Sequence, residues 1–257
     1  MEEQLLPNPE PGGGPEAPPP APERDPFWGY PDLLFFAGLV IPSMLIGWAV
    51  VKAGMFLFHI HGTLPVAELL FEQFLGYGIL FGGLLLMFRL QYARPFWRSL
   101  GWNRTSMPIL WNVICGVGAA FLVALMSYLI HTPNVSTPLT EMMQDRASVL
   151  LLATFGVTLG PLCEELAFRG FLQPLLVRSL GAVPGILAAT IPFGLLHFRE
   201  YGNSWRHAVL IALAGASFGW MRQATGSTRA AAIMHASYNA LFFFVLFAQR
   251  RELPNIW

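Results

Sequence analysis

Two adjacent glutamates and an arginine, Glu164, Glu165 and Arg169, stand in "GPLCEELAFRG", a stretch whose other residues suit a membrane-spanning helix. Charges deep in a membrane helix cost at least ~2.5 to 3.5 kcal/mol each on insertion scales, so they pair or line a wet cavity. On a helix, Glu165 and Arg169 are four apart with the acid on the N-terminal side, the favoured order for an ion pair. Glu164 is turned about 100° from that pair by the 3.6-residue repeat and has no local partner. Taken alone, the stretch reads equally well as a solvated helix end at the membrane surface.

Two further elements change the balance. In "FGLLHF", Phe193 and His197 are four apart and share a helix face. Gly181, in the turn between the two segments, lies 17 residues after Glu164 and 16 before His197. At ~1.5 Å per residue both stretches come to about 25 Å, so an antiparallel hairpin brings the two side chains to one depth. In "HASYN", His235 and Asn239 share a face of the last helix, behind a run of small residues, "AAAIMHAS", that permits close helix packing. Separately, each element has a structural explanation: a hydrogen-bonded core histidine, or interhelical contacts worth ~0.6 kcal/mol each. Together, a free carboxylate, two imidazoles and a carboxamide on three helices supply a base, electrophilic partners and an oxyanion donor. That is the inventory for attack of water on an amide.

The elements that must hold these groups are membrane helices. The chain is 54% hydrophobic and 12% charged, with a mean hydropathy of +0.52, against roughly 25% charged residues in soluble domains. Apolar runs of helix length fall at about 31–53, 66–90, 107–131, 148–180, 182–198, 207–223 and 229–248. They predict an all-α polytopic bundle of about seven helices with an intramembrane cavity. The fourth run is too long for one simple span and contains Gly156, Gly160 and Pro161, which should bend or break it. Residues 1–27, dense in proline, glycine and acid, read as a disordered tail. They lack the basic start and apolar centre of a cleavable signal peptide, so the first span is expected to stay in the mature protein. Residues 28–147 read as N-terminal spans and 249–257 as a short C-terminal tail. Net charge is zero without a long basic run, which excludes a nucleic-acid footprint. Cys115 and Cys163 sit in apolar segments and read as core residues. Arg94, Arg98 and Arg104 favour a cytoplasmic 91–106 connection, but Arg199, Arg206, Arg250 and Arg251 in the alternate loops nearly cancel that preference.

The ordered set EExxxR, FxxxH and HxxxN, over residues 148–248, resembles the CAAX prenyl endoprotease and bacteriocin-processing family of intramembrane proteases, also called the Abi family. The resemblance implies that 148–248 is a protease-like core hydrolysing a peptide bond in a membrane-associated or C-terminal peptide. It implies further that Glu164 activates water with His197 assisting, that His235 and Asn239 steady the water or oxyanion, and that Glu165 and Arg169, with Phe193, support the site. The implied partners are a peptide substrate and the lipid bilayer, and the expected location is the plasma membrane. Alternative readings are a non-catalytic factor of the bacteriocin-immunity type, and a transporter; the lack of an inverted repeat counts against the latter.

The same residues leave the metal question open. Glu164, His197 and His235 could form a three-ligand zinc site with an open position, yet no HExxH occurs. A glutamate acting directly on water, with Asn239 as oxyanion donor, suits the same side chains, so no cofactor is required and zinc stays possible. The family is commonly labelled metalloprotease. His59 and His61 lack a nearby third ligand and read as an interfacial loop. Glu68 and Glu72 read as capping charges at the start of the second span.

Overall fold

The computed structural model describes residues 25–105, 107–133, 141–143 and 145–250. The expected tail falls outside the described residues up to position 24, and the C-terminal tail beyond 250. All regular structure among the described residues is helical: α1 (Tyr30–Leu57), α2 (Pro65–Tyr92), α3 (Phe96–Ser99), α4 (Ile109–Leu129), α5 (Arg146–Val157), α6 (Leu159–Glu165), a π-helical segment (Leu166–Leu172), α7 (Gln173–Leu180), α8 (Ala182–Leu196), α9 (Trp205–Thr225) and α10 (Thr228–Arg250). Five stretches among them are long and apolar enough to cross a membrane: α1, α2, α4, the stretch Arg146–Leu180, and Thr228–Ala248 of α10. Helix α8 is a shorter apolar helix beside them. Large apolar side chains such as Leu34, Ile41, Phe121, Leu122 and Phe244 face outward, as a lipid-facing surface requires. The chain is a multi-pass membrane protein.

Local chemistry sets the helix boundaries. Helix α1 begins with Pro31 in its first turn, where a missing N–H costs nothing. The Asp32 carboxylate accepts the Gly29 amide at 2.8 Å and the Tyr92 hydroxyl at 2.7 Å. Asp145 caps α5 by accepting the Ser148 amide and hydroxyl, bonds that hold its carboxyl below the ordinary carboxylate range. The long fourth run breaks where its glycines and proline predicted. Thr158 leaves helical geometry at φ −124°, ψ −83°, and Pro161 then sits in the first turn of α6, whose amides have no intrahelical partner in any case.

Helix α1 packs along α2, α4 along α10, and α7 and α9 both lie on α8. The small-residue run of α10 serves close approach, as expected: a Cβ on Gly116 of α4 would stand 2.2 Å from the Met234 carbonyl. Aromatic rings join the N-terminal helices to the π-helical segment. Trp28 stacks on Phe171 and Phe88, and its indole N–H donates to the Phe171 carbonyl at 3.1 Å. Phe27, at the edge of the predicted tail, packs against Trp28, Phe88 and Tyr92. Glu68 and Glu72 do more than cap α2, because both form ion pairs with Lys52 of α1. His59 and His61 lie exposed between α1 and α2.

Candidate active site

The ion pair predicted from the four-residue spacing forms, and its surroundings explain how it survives burial. Glu165 is 0% exposed and Arg169 1%. The guanidinium donates to Glu165 Oε1 at 2.9 Å and to the Gly215 carbonyl of α9 at 2.7 Å. One turn further, the Gln173 side chain donates to the Gly219 carbonyl at 2.9 Å. The acceptors come from "GASFG", a small-xxx-small motif that lets two helices approach. A Cβ on Gly215 would lie 2.8 Å from the Phe193 ring and 2.9 Å from Arg169 Nη2. Phe193 has a specific task here, since the guanidinium lies 4.4 Å from its ring centroid. A buried charge is tolerable only when paired and hydrogen-bonded, and here three helices supply the partners.

The same Glu165 oxygen meets His235 of α10, whose Nδ1 lies 2.9 Å away. The imidazole also stacks on Phe218 of α9 at 4.5 Å between centroids. With Nδ1–H donating to a carboxylate, the other nitrogen, Nε2, is directed to Glu164, whose Oε2 is 3.9 Å away. Glu164 thus faces this imidazole beyond hydrogen-bonding distance and keeps 26% of its side chain exposed. His197 is the C-cap of α8 rather than a mid-helix residue. Its Nδ1 lies 2.8 Å from the Phe193 carbonyl, so this imidazole too is oriented through one nitrogen with Nε2 free of backbone. Asn239 donates through Nδ2 to the Gly156 carbonyl at 2.7 Å, which leaves the second amide hydrogen uncommitted.

Glu164, His197, His235 and Asn239 line a single cavity of about 840 Å³, and Phe193 contributes to its wall. Glu165 and Arg169 stand behind it and do not line it. Histidines that hold a metal usually donate their other ring nitrogen to a carboxylate or carbonyl, and both histidines here are held that way. In kind, the donor set fits zinc. Among the described residues, however, no three His, Cys, Asp or Glu side chains gather closely enough to hold an ion.

Several contributors were not legible in the motifs. Phe218, Gly215 and Gly219 belong to α9, where only the small-xxx-small spacing in "GASFG" signals a close approach. Gln73 of α2 reaches the cavity from outside the motif-bearing segment, a placement that no local pattern encodes. Glu200 and Tyr201, in the polar connection after α8, also line it. Glu200 Oε2 lies 4.0 Å from His197 Nε2.

Fold and site define a multi-pass membrane protein, all-helical among the described residues, with a largely apolar cavity between its helices that carries a cluster of polar groups. Residues 146–241 match the family model of the Type II CAAX prenyl endopeptidase Rce1-like proteins. All three motifs lie inside that stretch, so the resemblance they carry is shown for the segment from α5 into α10. No curated protein and no solved structure matches the chain.

Proposed function

We propose that the protein is an intramembrane endopeptidase of the plasma membrane that hydrolyses a peptide bond in a membrane-associated or C-terminal peptide, with Glu164 as the base. The observation that carries this reading is the division of labour between the two glutamates. Glu165 is buried with its Oε1 committed to Arg169 and His235, whereas Glu164 faces the cavity within 3.9 Å of the His235 Nε2.

In the proposed reaction, Glu164 takes a proton from a water held between it and His197, and the water oxygen bonds to the carbonyl carbon. The negative charge that develops on the carbonyl oxygen is met by the free amide hydrogen of Asn239, while His235, whose Nδ1–H is given to Glu165, steadies the water by accepting through Nε2. Glu164 then returns the proton to the departing amide nitrogen as the C–N bond breaks. Arg169 and Glu165 fix the His235 tautomer throughout. Glu164, His197 and His235 would have to draw closer than they stand here to hold zinc, which would then supply Lewis-acid activation of water; no step above requires it.

The test is turnover in purified protein, with peptide products identified by comparing membranes carrying the wild type with membranes carrying Glu164→Gln. Glu164→Gln should abolish turnover with the melting temperature nearly unchanged. Glu165→Gln should instead lower stability. An exchange of those phenotypes sinks the assignment. Asn239→Ala should lower turnover by ~10²- to 10³-fold, the usual effect of losing one oxyanion donor, with little change in substrate affinity. Stoichiometric zinc that leaves and returns in step with activity during a chelator titration would replace the metal-independent mechanism.

A further inference from the structure

Helix α2 presents two different faces. Glu68 and Glu72 are turned to α1, where Lys52 pairs with both, and a Cβ on Gly47 of α1 would stand 2.6 Å from the Glu72 carbonyl. Gln73 is one residue, and therefore about 100°, further round the helix. Its side chain lines the cavity together with Leu69 and Leu70 of the same helix. Tyr77, one turn on, holds it there, because Gln73 Nε2 donates to the Tyr77 hydroxyl at 3.3 Å. The Tyr77 ring stacks at 14° on Phe155 of α5, with 6.5 Å between centroids. The next residue of α5, Gly156, accepts the Asn239 Nδ2 bond at 2.7 Å through its carbonyl. Consecutive residues of α5 thus seat the two carboxamides of the lining, Gln73 from α2 and Asn239 from α10.

A carboxamide offers two N–H donors and two acceptor lone pairs. Gln73 has one donor engaged, at the long end of hydrogen-bonding range, and makes no other hydrogen bond among the described residues. The hydrolysis proposed above does not use it. An extended peptide that enters a largely apolar cavity takes its backbone N–H and C=O groups out of water, and each then needs a partner. A carboxamide suits that need because it donates and accepts at once, as a peptide unit does. We propose that Gln73 binds the backbone of the substrate, its Oε1 accepting one peptide N–H and its second Nε2 hydrogen donating to a carbonyl of the same strand. Such a contact reads the main chain and not the side chains, so it sets how the peptide lies in the cavity whatever its sequence. It also makes α2, which lies outside the family-matched residues 146–241, part of the substrate site. The contact rests on the peptidase reading above, since its ligand is a peptide.

Binding is measured apart from turnover, on full-length Glu164→Gln protein in lipid nanodiscs. The probe is a fluorescent, S-farnesylated octapeptide ending Cys-Val-Ile-Met, a CAAX terminus, together with a series in which each backbone N–H in turn is replaced by an ester oxygen. At least one ester analogue should bind about three- to tenfold more weakly than the parent, the usual effect of losing one neutral hydrogen bond. With Gln73→Leu added, that analogue and the parent should bind alike, both more weakly than the parent binds when Gln73 is present, as a direct contact requires. Gln73→Met repeats the comparison where the leucine variant melts earlier. With Glu164 intact, Gln73→Leu should raise KM about three- to tenfold and leave kcat nearly unchanged, the mark of binding shared by ground and transition states. The contact is overturned if every ester penalty survives the loss of Gln73, if both Gln73 variants bind the parent as tightly as before, if kcat falls while KM stays, or if the parent peptide does not bind. Cleavage separates this contact from the peptidase reading. A peptide cut by the wild type without a Gln73-dependent ester penalty sinks the contact and leaves hydrolysis standing, and a Gln73-dependent penalty without cleavage does the reverse.

Discussion

The N-terminal helices and the segment from α5 onward handle charge in opposite ways. In α1 and α2 the charged groups lie toward helix ends. Lys52, with 45% of its side chain exposed, reaches Glu68 and Glu72, and Asp32 is satisfied by Gly29 and Tyr92. In the second segment a full ion pair is withdrawn from solvent and joined to a histidine, a backbone carbonyl and an aromatic face. Of these charges Lys52 stays the most open, the Glu68 and Glu72 side chains keep 17% exposure, and Asp32 is buried with its partners close in the fold. An interior pair must have every polar partner supplied by protein, so its position is specified by three helices at once. The first region forms a wall and buttress, and the second builds a site.

Breaking an ion pair in each region tests that contrast most sharply. Arg169→Met leaves the Glu165 carboxylate buried without its guanidinium and should cost about 3–5 kcal/mol. Lys52→Gln removes a partly exposed pair and should cost less than ~1 kcal/mol. Reversible denaturation in mixed micelles measures both, and similar losses would erase the distinction. A smaller effect comes from close approach. Gly215→Ala forces a methyl against Phe193 and Arg169 and should destabilise by ~1–3 kcal/mol. By contrast, a Cβ on Gly118 of α4 meets nothing within 4 Å, so Gly118→Ala should be neutral or mildly stabilising, within ~1 kcal/mol. A Gly118→Ala cost equal to that of Gly215→Ala would show that "GASFG" is not a special contact. The smallest effect joins the two regions. Trp28→Phe retains an aromatic ring on Phe171 but loses the hydrogen bond to its carbonyl, which should cost ~0.5–1.5 kcal/mol. Amide exchange at the π-helical segment should rise with it; unchanged protection there would mean that the N-terminal helices do not brace the site.

Much of this organisation is encoded locally. Apolar runs of membrane length set the helices to within a few residues at most ends, because each must satisfy its own backbone in lipid. Gly160 and Pro161 marked the interrupted fourth run, and the four-residue spacing of Glu165 and Arg169 was enough to pair them. The equal distances from Gly181 placed Glu164 and His197 at one depth of a hairpin, and both line the same cavity. What the chain order did not encode is which groups meet across helices. Glu164 had no partner within its own helix and comes to face the Nε2 side of His235, while Glu165 takes the other side of the same imidazole. The Gly215 carbonyl, the Phe218 ring, Gln73 and Glu200 entered the site only through packing. Short-range hydrogen bonding repeats with the helix and can be read residue by residue, whereas contacts between helices depend on crossing angle and depth. Those are set jointly by small-residue approaches, such as Gly116 on Met234 and Gly215 on Phe193, that exist only once the bundle has assembled.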